Sequence, residues 1–176
     1  LEDNAEESSA AAPFPRTRKE ISPMLPGFKA ALNFHPVFVH FPIVLWFAAL
    51  LFELLAVLRA SDDMQRTAAR MLYLGTLAAV VTLLSGWAAE NSVPPGEAQR
   101  VVGIHETLML ISTSLALALC IFAFFARRNF TPQLRKLMLL GLILLALFVT
   151  IGADRGAQLV YGYGSAVNWS TAQQQK

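Results

Sequence analysis

The sequence predicts an all-α integral membrane protein: a four-helix bundle of up-down-up-down topology with both termini on the outer side of the membrane. Three observations lead there. Apolar residues make up 55% of the 176 positions and charged residues 15%, against roughly a quarter charged in a soluble domain. Four apolar runs are each long enough to cross a bilayer as a helix, which takes about 20 residues. The connections between them are short, so neighbouring spans must run antiparallel.

Residues 1–34 precede the spans. Glu2, Asp3, Glu6 and Glu7 are followed by Ala10–Ala12 and by prolines at 13, 15, 23 and 26. Such a segment cannot bury a core. It is expected to be an extramembrane tail that docks on a partner subunit. The chain opens on Leu1 rather than Met, and a cleaved signal peptide would leave this tail outside the cytoplasm.

A membrane domain is expected over residues 35–167. Its first span covers 36–58, about 34 Å as a helix. Pro36 suits the first helical turn, where a missing N–H leaves nothing unpaired. Pro42 lies inside and should loosen or kink the first two turns. The second span covers 68–89 and carries a small-residue stripe of Gly75, Ala79, Thr82 and Gly86 for close helix contact. The third covers 101–126. The fourth covers 134–160, with Gly141, Phe148, Gly152 and Gly156 along one side. Tyr161–Gly164 reads as a cap and turn, and residues 168–176 as a C-terminal tail.

Basic residues set the orientation. Loop 59–70 holds Arg59, Arg66 and Arg70 against two acids, and loop 127–136 holds four basic residues and no acid; the middle loop has Arg100 against Glu90 and Glu97. The positive-inside rule places the first and third loops in the cytoplasm. Lys29 and the cluster Arg16, Arg18 and Lys19 count against this arrangement. The expected location is a bacterial inner membrane, multi-pass, with periplasmic termini.

Function classes narrow next. Cys120 is the only cysteine, so no disulfide forms within the chain and no C-x-x-C-H run attaches a c-type haem. There is no nucleotide loop, nucleophile elbow, H-E-x-x-H or nucleic-acid module. An electron-transfer or structural subunit is expected, not an enzyme and not a nucleic-acid binder.

The three histidines, His35, His40 and His105, share one end of the predicted bundle. His40 and His105 each lie about four residues inside a span, roughly 6 Å below the helix start. Two imidazoles at one depth on different helices suit a b-type haem. On a regular helix His35 and His40 point about 140° apart, so His40 with His105 is the favoured pair and His35 the substitute. Gly103 would let a flat macrocycle approach. Arg100 and Arg155 could pair with its propionates, and Phe34, Phe38 and Phe41 could wall it. The bland alternative is that each histidine is an interfacial anchor. A three-histidine zinc or copper site lacks a compact spacing.

Glu53 is an intramembrane carboxylate, a functional suspect by default, although pairing with Arg70 or Tyr73 is the simpler expectation. Glu106 and Asp154 are candidates to orient a ligand imidazole or to neutralise Arg100 and Arg155. Trp87, Tyr161, Tyr163 and Trp169 read as an interfacial belt, and Ser112 and Ser114 as hydroxyls bonded back to helix carbonyls.

The run His35-Pro36-Val37-Phe38-Val39-His40-Phe41-Pro42 resembles the H-P-x-x-V-H-F-P opening of a bacterial domain-of-unknown-function family of four-helix inner-membrane proteins. His105 and the stretch Gly156–Gly164, similar to a G-x-x-L-V-Y ending, extend the resemblance over about 34–167. It implies a redox setting, in company with c-type cytochromes or periplasmic oxidoreductases. The expectation is therefore a membrane subunit that binds b-type haem near the periplasmic face and exchanges electrons with a periplasmic partner. The alternative is a cofactor-free structural subunit of a respiratory or photosynthetic complex.

Overall fold

The structure is a computed structural model; it describes residues 35–90, 93 and 96–165. The tail reading of residues 1–34, Phe34 and Trp169 lie outside those residues. Among the described residues there are five helices: α1 His35–Phe38, α2 His40–Arg59, α3 Asp62–Glu90, α4 Glu97–Ala126 and α5 Pro132–Tyr163. Taking α1 and α2 as one span, four helices are long and apolar enough to cross a membrane. An even number of antiparallel spans returns the chain to the side on which it began.

Helices α3 and α5 begin earlier than the apolar runs do. The charged segments 62–67 and 132–136, expected in loops, are helical. Each start is capped by a hydroxyl one residue ahead: Met64 N–H donates to Ser61 Oγ and Leu134 N–H to Thr131 Oγ1, both at 3.4 Å. Pro132 occupies the first position of α5, where its missing N–H removes no helix bond. The turn from α2 to α3 is just Ala60 and Ser61, with Ala60 in the left-handed region at φ 50°.

Pro42 has its expected effect, and its consequence is repaired from another helix. Without a proline N–H the carbonyl of Phe38, four residues earlier, loses its helix partner, and the hydrogen-bond ladder is interrupted at Val39, whose backbone stays helical at φ −60° and ψ −28°. Thr82 Oγ1 on α3 lies 3.2 Å from that carbonyl and 2.9 Å from the carbonyl of Ala78 in its own helix, so its one proton is shared between the two. An orphan carbonyl is expensive in hydrocarbon, so this contact fixes where α1 sits against α3.

Consecutive helices form two hairpins, α1–α2 with α3 and α4 with α5. They pack closely within themselves and more sparsely against each other, with α2 touching α5 and α3 touching α4. Thus α2 and α4 face diagonally across the bundle. The core holds Trp46, Leu72, Met138, Leu142, Leu145 and Val149. Outward residues such as Val44, Leu58, Leu77 and Phe125 are large, apolar and exposed, the pattern of helices solvated by lipid rather than water. Both small-residue stripes lie at contacts. A Cβ on Gly75 would sit 2.8 Å from the Trp46 ring, and one on Gly141 would sit 2.5 Å from Leu119.

Candidate ligand cavity at the histidine end

At one end of the bundle the two hairpins part around a cavity of about 460 Å³ lined by residues of all four spans, among them His35, His40, Trp87, His105 and Glu106. That is within the range of small-molecule and cofactor sites, roughly 300–1,000 Å³. Its lining is mainly apolar, from Ile43, Ala79, Leu83, Met109 and Val149.

Two imidazoles are fixed there by hydrogen bonds that settle their tautomers. His35 Nδ1 lies 3.0 Å from Ser85 Oγ, and Ser85 spends its one hydroxyl proton on the carbonyl of Thr82 at 2.8 Å. The serine oxygen can then only accept, so His35 Nδ1 carries the proton. His105 Nδ1 lies 2.7 Å from the carbonyl of Gly152, which also can only accept. Both rings therefore present an Nε2 lone pair with no hydrogen-bond donor on it among the described residues. A backbone or side-chain acceptor behind Nδ1 is the usual support of an imidazole metal ligand.

A glycine stands behind each ring. A Cβ on Gly86 would lie 3.1, 3.4 and 3.7 Å from Cε1, Nδ1 and Nε2 of His35. A Cβ on Gly156 would lie 3.1, 3.4 and 3.8 Å from the same three atoms of His105. The two sets of glycine distances agree to 0.1 Å, although Nδ1 meets a serine oxygen in one half and a backbone carbonyl in the other. His35 and His105 are 70 positions apart, and so are Gly86 and Gly156.

That spacing runs through the molecule. The burial pattern of 35–89 recurs over 105–159 almost position for position: Trp46 and Ala116, Ala49 and Leu119, Glu53 and Ala123, Leu72 and Leu142, Ala79 and Val149, Thr82 and Gly152 are buried in both halves. The capping hydroxyls Ser61 and Thr131 obey it too. The bundle is two equivalent hairpins related by an approximate twofold. His35 and His105 are the same position seen twice.

This changes the favoured pair. His40 lies at the cavity but is exposed, and its counterpart in the second half is Leu110. The 70-residue recurrence, rather than depth along the helix, pairs His35 with His105, and both line the cavity. Three other expectations shift for angular reasons. Gly103 is two residues from His105, hence roughly 200° around the helix, and no atom lies within 4 Å of where its Cβ would be. It lines a separate outer groove together with Arg100 and Arg155, so neither the glycine nor the arginines line the histidine cavity.

The carboxylates are also placed. Glu106 accepts from Trp87 Nε1, and Asp154 lies 3.8 Å from Arg155, so neither orients an imidazole. Ser112 donates back to the Leu108 carbonyl as expected. Glu53 touches neither Arg70 nor Tyr73. It is fully buried at the other end of the bundle, both oxygens lack a hydrogen-bond partner among the described residues, and Arg135 is a cation whose charge reaches it. Arg135 in turn donates to the Ala56 carbonyl and to Asp62. Among the described residues, no three His, Cys, Asp or Glu side chains converge as a metal cage, so the zinc or copper arrangement has no geometric basis there.

A family match covers residues 31–168, most of the chain, and its description is "predicted membrane protein (DUF2231)". The chain belongs to the DUF2231 family. No curated protein and no solved structure matches the sequence. The match spans both hairpins of this DUF2231 protein and every residue of the cavity.

Proposed function

We propose that this DUF2231 protein is the membrane subunit of an electron-transfer complex. In this reading the slot between its hairpins would hold one b-type haem, with His35 and His105 as the residues that bind its iron. The observation that carries the reading is the matched pair of imidazoles, each with Nδ1 donating to a fixed acceptor, Nε2 free and a glycine behind the ring. Two imidazoles on one cavity, with no third His, Cys, Asp or Glu converging with them as a metal cage among the described residues, suit a metal held chiefly by a macrocycle. Bound haem would supply one-electron chemistry. The protein's residues would orient both ligand rings, keep water out with apolar walls and leave no open position on the iron.

The site lies at the end that the basic-loop argument places outside the cytoplasm. The proposed electron partner is therefore a periplasmic redox protein, such as a c-type cytochrome, and the proposed location is a bacterial inner membrane. The test is the visible spectrum of the purified full chain after haem is supplied. Sharp α and β bands on reduction, with no change under carbon monoxide, are expected of two imidazole ligands. A chain that takes up no haem would favour the cofactor-free structural role.

A further inference from the structure

The groove that holds the displaced arginines is a site of its own. It lies on the outer surface between α4 and α5, away from the histidines. Arg100 is in the first turn of α4. Ile104 and Leu108 follow at four-residue steps on the same side, about 6 Å deeper each time. From the other wall Arg155 stands at the matching end, and Ile151 lies one turn below it. Ile104 and Ile151 are exposed at 44% and 40%, so this apolar surface is open to the membrane. Gly103 leaves open space where any other residue would project.

We infer that this groove binds one anionic phospholipid, with its phosphate between Arg100 and Arg155 and an acyl chain along Ile104, Leu108 and Ile151. Two guanidiniums are the side chains best matched to phosphate oxygens. Charge above and hydrocarbon below, along one membrane normal, is the layout of a lipid and not of a soluble anion. The groove is also a departure from the twofold. The counterparts of Arg155 and Ile151 in the first half are Ser85 and Val81, so the fold itself does not require a cation here. Local acids compete weakly: Asp154 faces Arg155 at 3.8 Å and is 70% exposed, and Arg155 also donates to Gln158 at 2.9 Å. Exposed pairs of this kind contribute little.

Native mass spectrometry of the purified full chain tests this, titrating phosphatidylglycerol, phosphatidylcholine and inorganic phosphate in detergent. The wild type should retain one phosphatidylglycerol in preference to phosphatidylcholine. Each arginine near a membrane surface changes affinity for anionic lipid by about fivefold. The double variant Arg100→Ala/Arg155→Ala should thus lose roughly 25-fold for phosphatidylglycerol and little for phosphatidylcholine. Gly103→Leu should fill the groove and lower binding of both lipids. Its Cβ meets nothing, so its helical circular dichroism should match the wild type. Equal phosphatidylglycerol retention by wild type and double variant would overturn the site. Displacement of the lipid by inorganic phosphate would overturn its assignment to a phospholipid.

Discussion

The two hairpins of this protein are built on one plan and filled differently. In the first, Trp46 on α2 lies over Gly75 on α3; in the second, the same two positions hold Ala116 and Leu145, so bulk has moved to the opposite helix. The exchange runs the other way one layer along, where Ala49 and Met71 correspond to Leu119 and Gly141, and Leu119 fills the space over that glycine. Core volume is kept while the side chains that supply it change, as interiors packed to crystal density require. Space-filling positions are mixed: Trp46 and Gly75 correspond to Ala116 and Leu145, while Leu72 and Leu142, or Phe52 and Phe122, are the same residue. The histidine with its glycine is the recurring pair that lines the cavity in both halves, His35 with Gly86 and His105 with Gly156.

The comparison can be broken most severely at the glycines. Gly86→Leu and Gly156→Leu should each displace the imidazole in front of them and lower the haem-to-protein ratio at least tenfold, to similar extents, with helical content retained. A loss confined to one variant would end the equivalence of the halves. The packing exchange predicts a smaller effect. Trp46→Ala should destabilise the bundle by about 3–5 kcal/mol in thermal or steric-trapping assays. Trp46→Ala/Gly75→Leu, which gives the first hairpin the second's arrangement, should recover part of that loss, although Gly75→Leu alone clashes with the indole.

Glu53 marks where the halves differ most in chemistry, since its counterpart is Ala123. Its two partnerless oxygens are a penalty, so Glu53→Leu should raise stability by about 1 kcal/mol, provided Arg135 keeps its bonds to Ala56 and Asp62. A marked fall in stability instead would show that Glu53 has a partner in the membrane. The smallest effect belongs to Ser85→Ala. His35 would lose one hydrogen bond, worth about 0.5–1.5 kcal/mol, while the Thr82 carbonyl stays within its reach. Haem affinity should fall by a factor of about three to ten.

Much of this architecture is legible in the chain. Hydropathy marks four spans, and the glycine stripes mark the faces where helices meet. The added helical turns at 62–67 and 132–136 are not visible in hydropathy because they are charged, yet Ser61 and Thr131-Pro132 announce both starts. The site was legible only in part. Residue counting gives a side chain's depth along a helix but not its direction around it. Hence depth places His105 at the cavity, while Arg100, Gly103 and Arg155, at a matching depth, line an outer groove instead. Depth alone also favours His40 over His35, whereas the recurrence of burial pairs His35 with His105. The 70-residue offset pairs His35 with His105 and Gly86 with Gly156, but the other identities at that offset, such as Leu45 with Leu115 and Leu72 with Leu142, are residues common in any membrane helix. Burial in the folded chain is what makes the repeat plain.

The central claim is that His35 and His105 are equivalent ligands of one iron and that His40 is not a ligand. Low-temperature electron paramagnetic resonance of the oxidised, haem-loaded full chain tests it directly in three variants, His35→Ala, His105→Ala and His40→Ala. The account predicts a low-spin bis-imidazole signal in the wild type and in His40→Ala, and a high-spin signal or no haem in both His35→Ala and His105→Ala. A low-spin signal that survives in His35→Ala but vanishes in His40→Ala would contradict it.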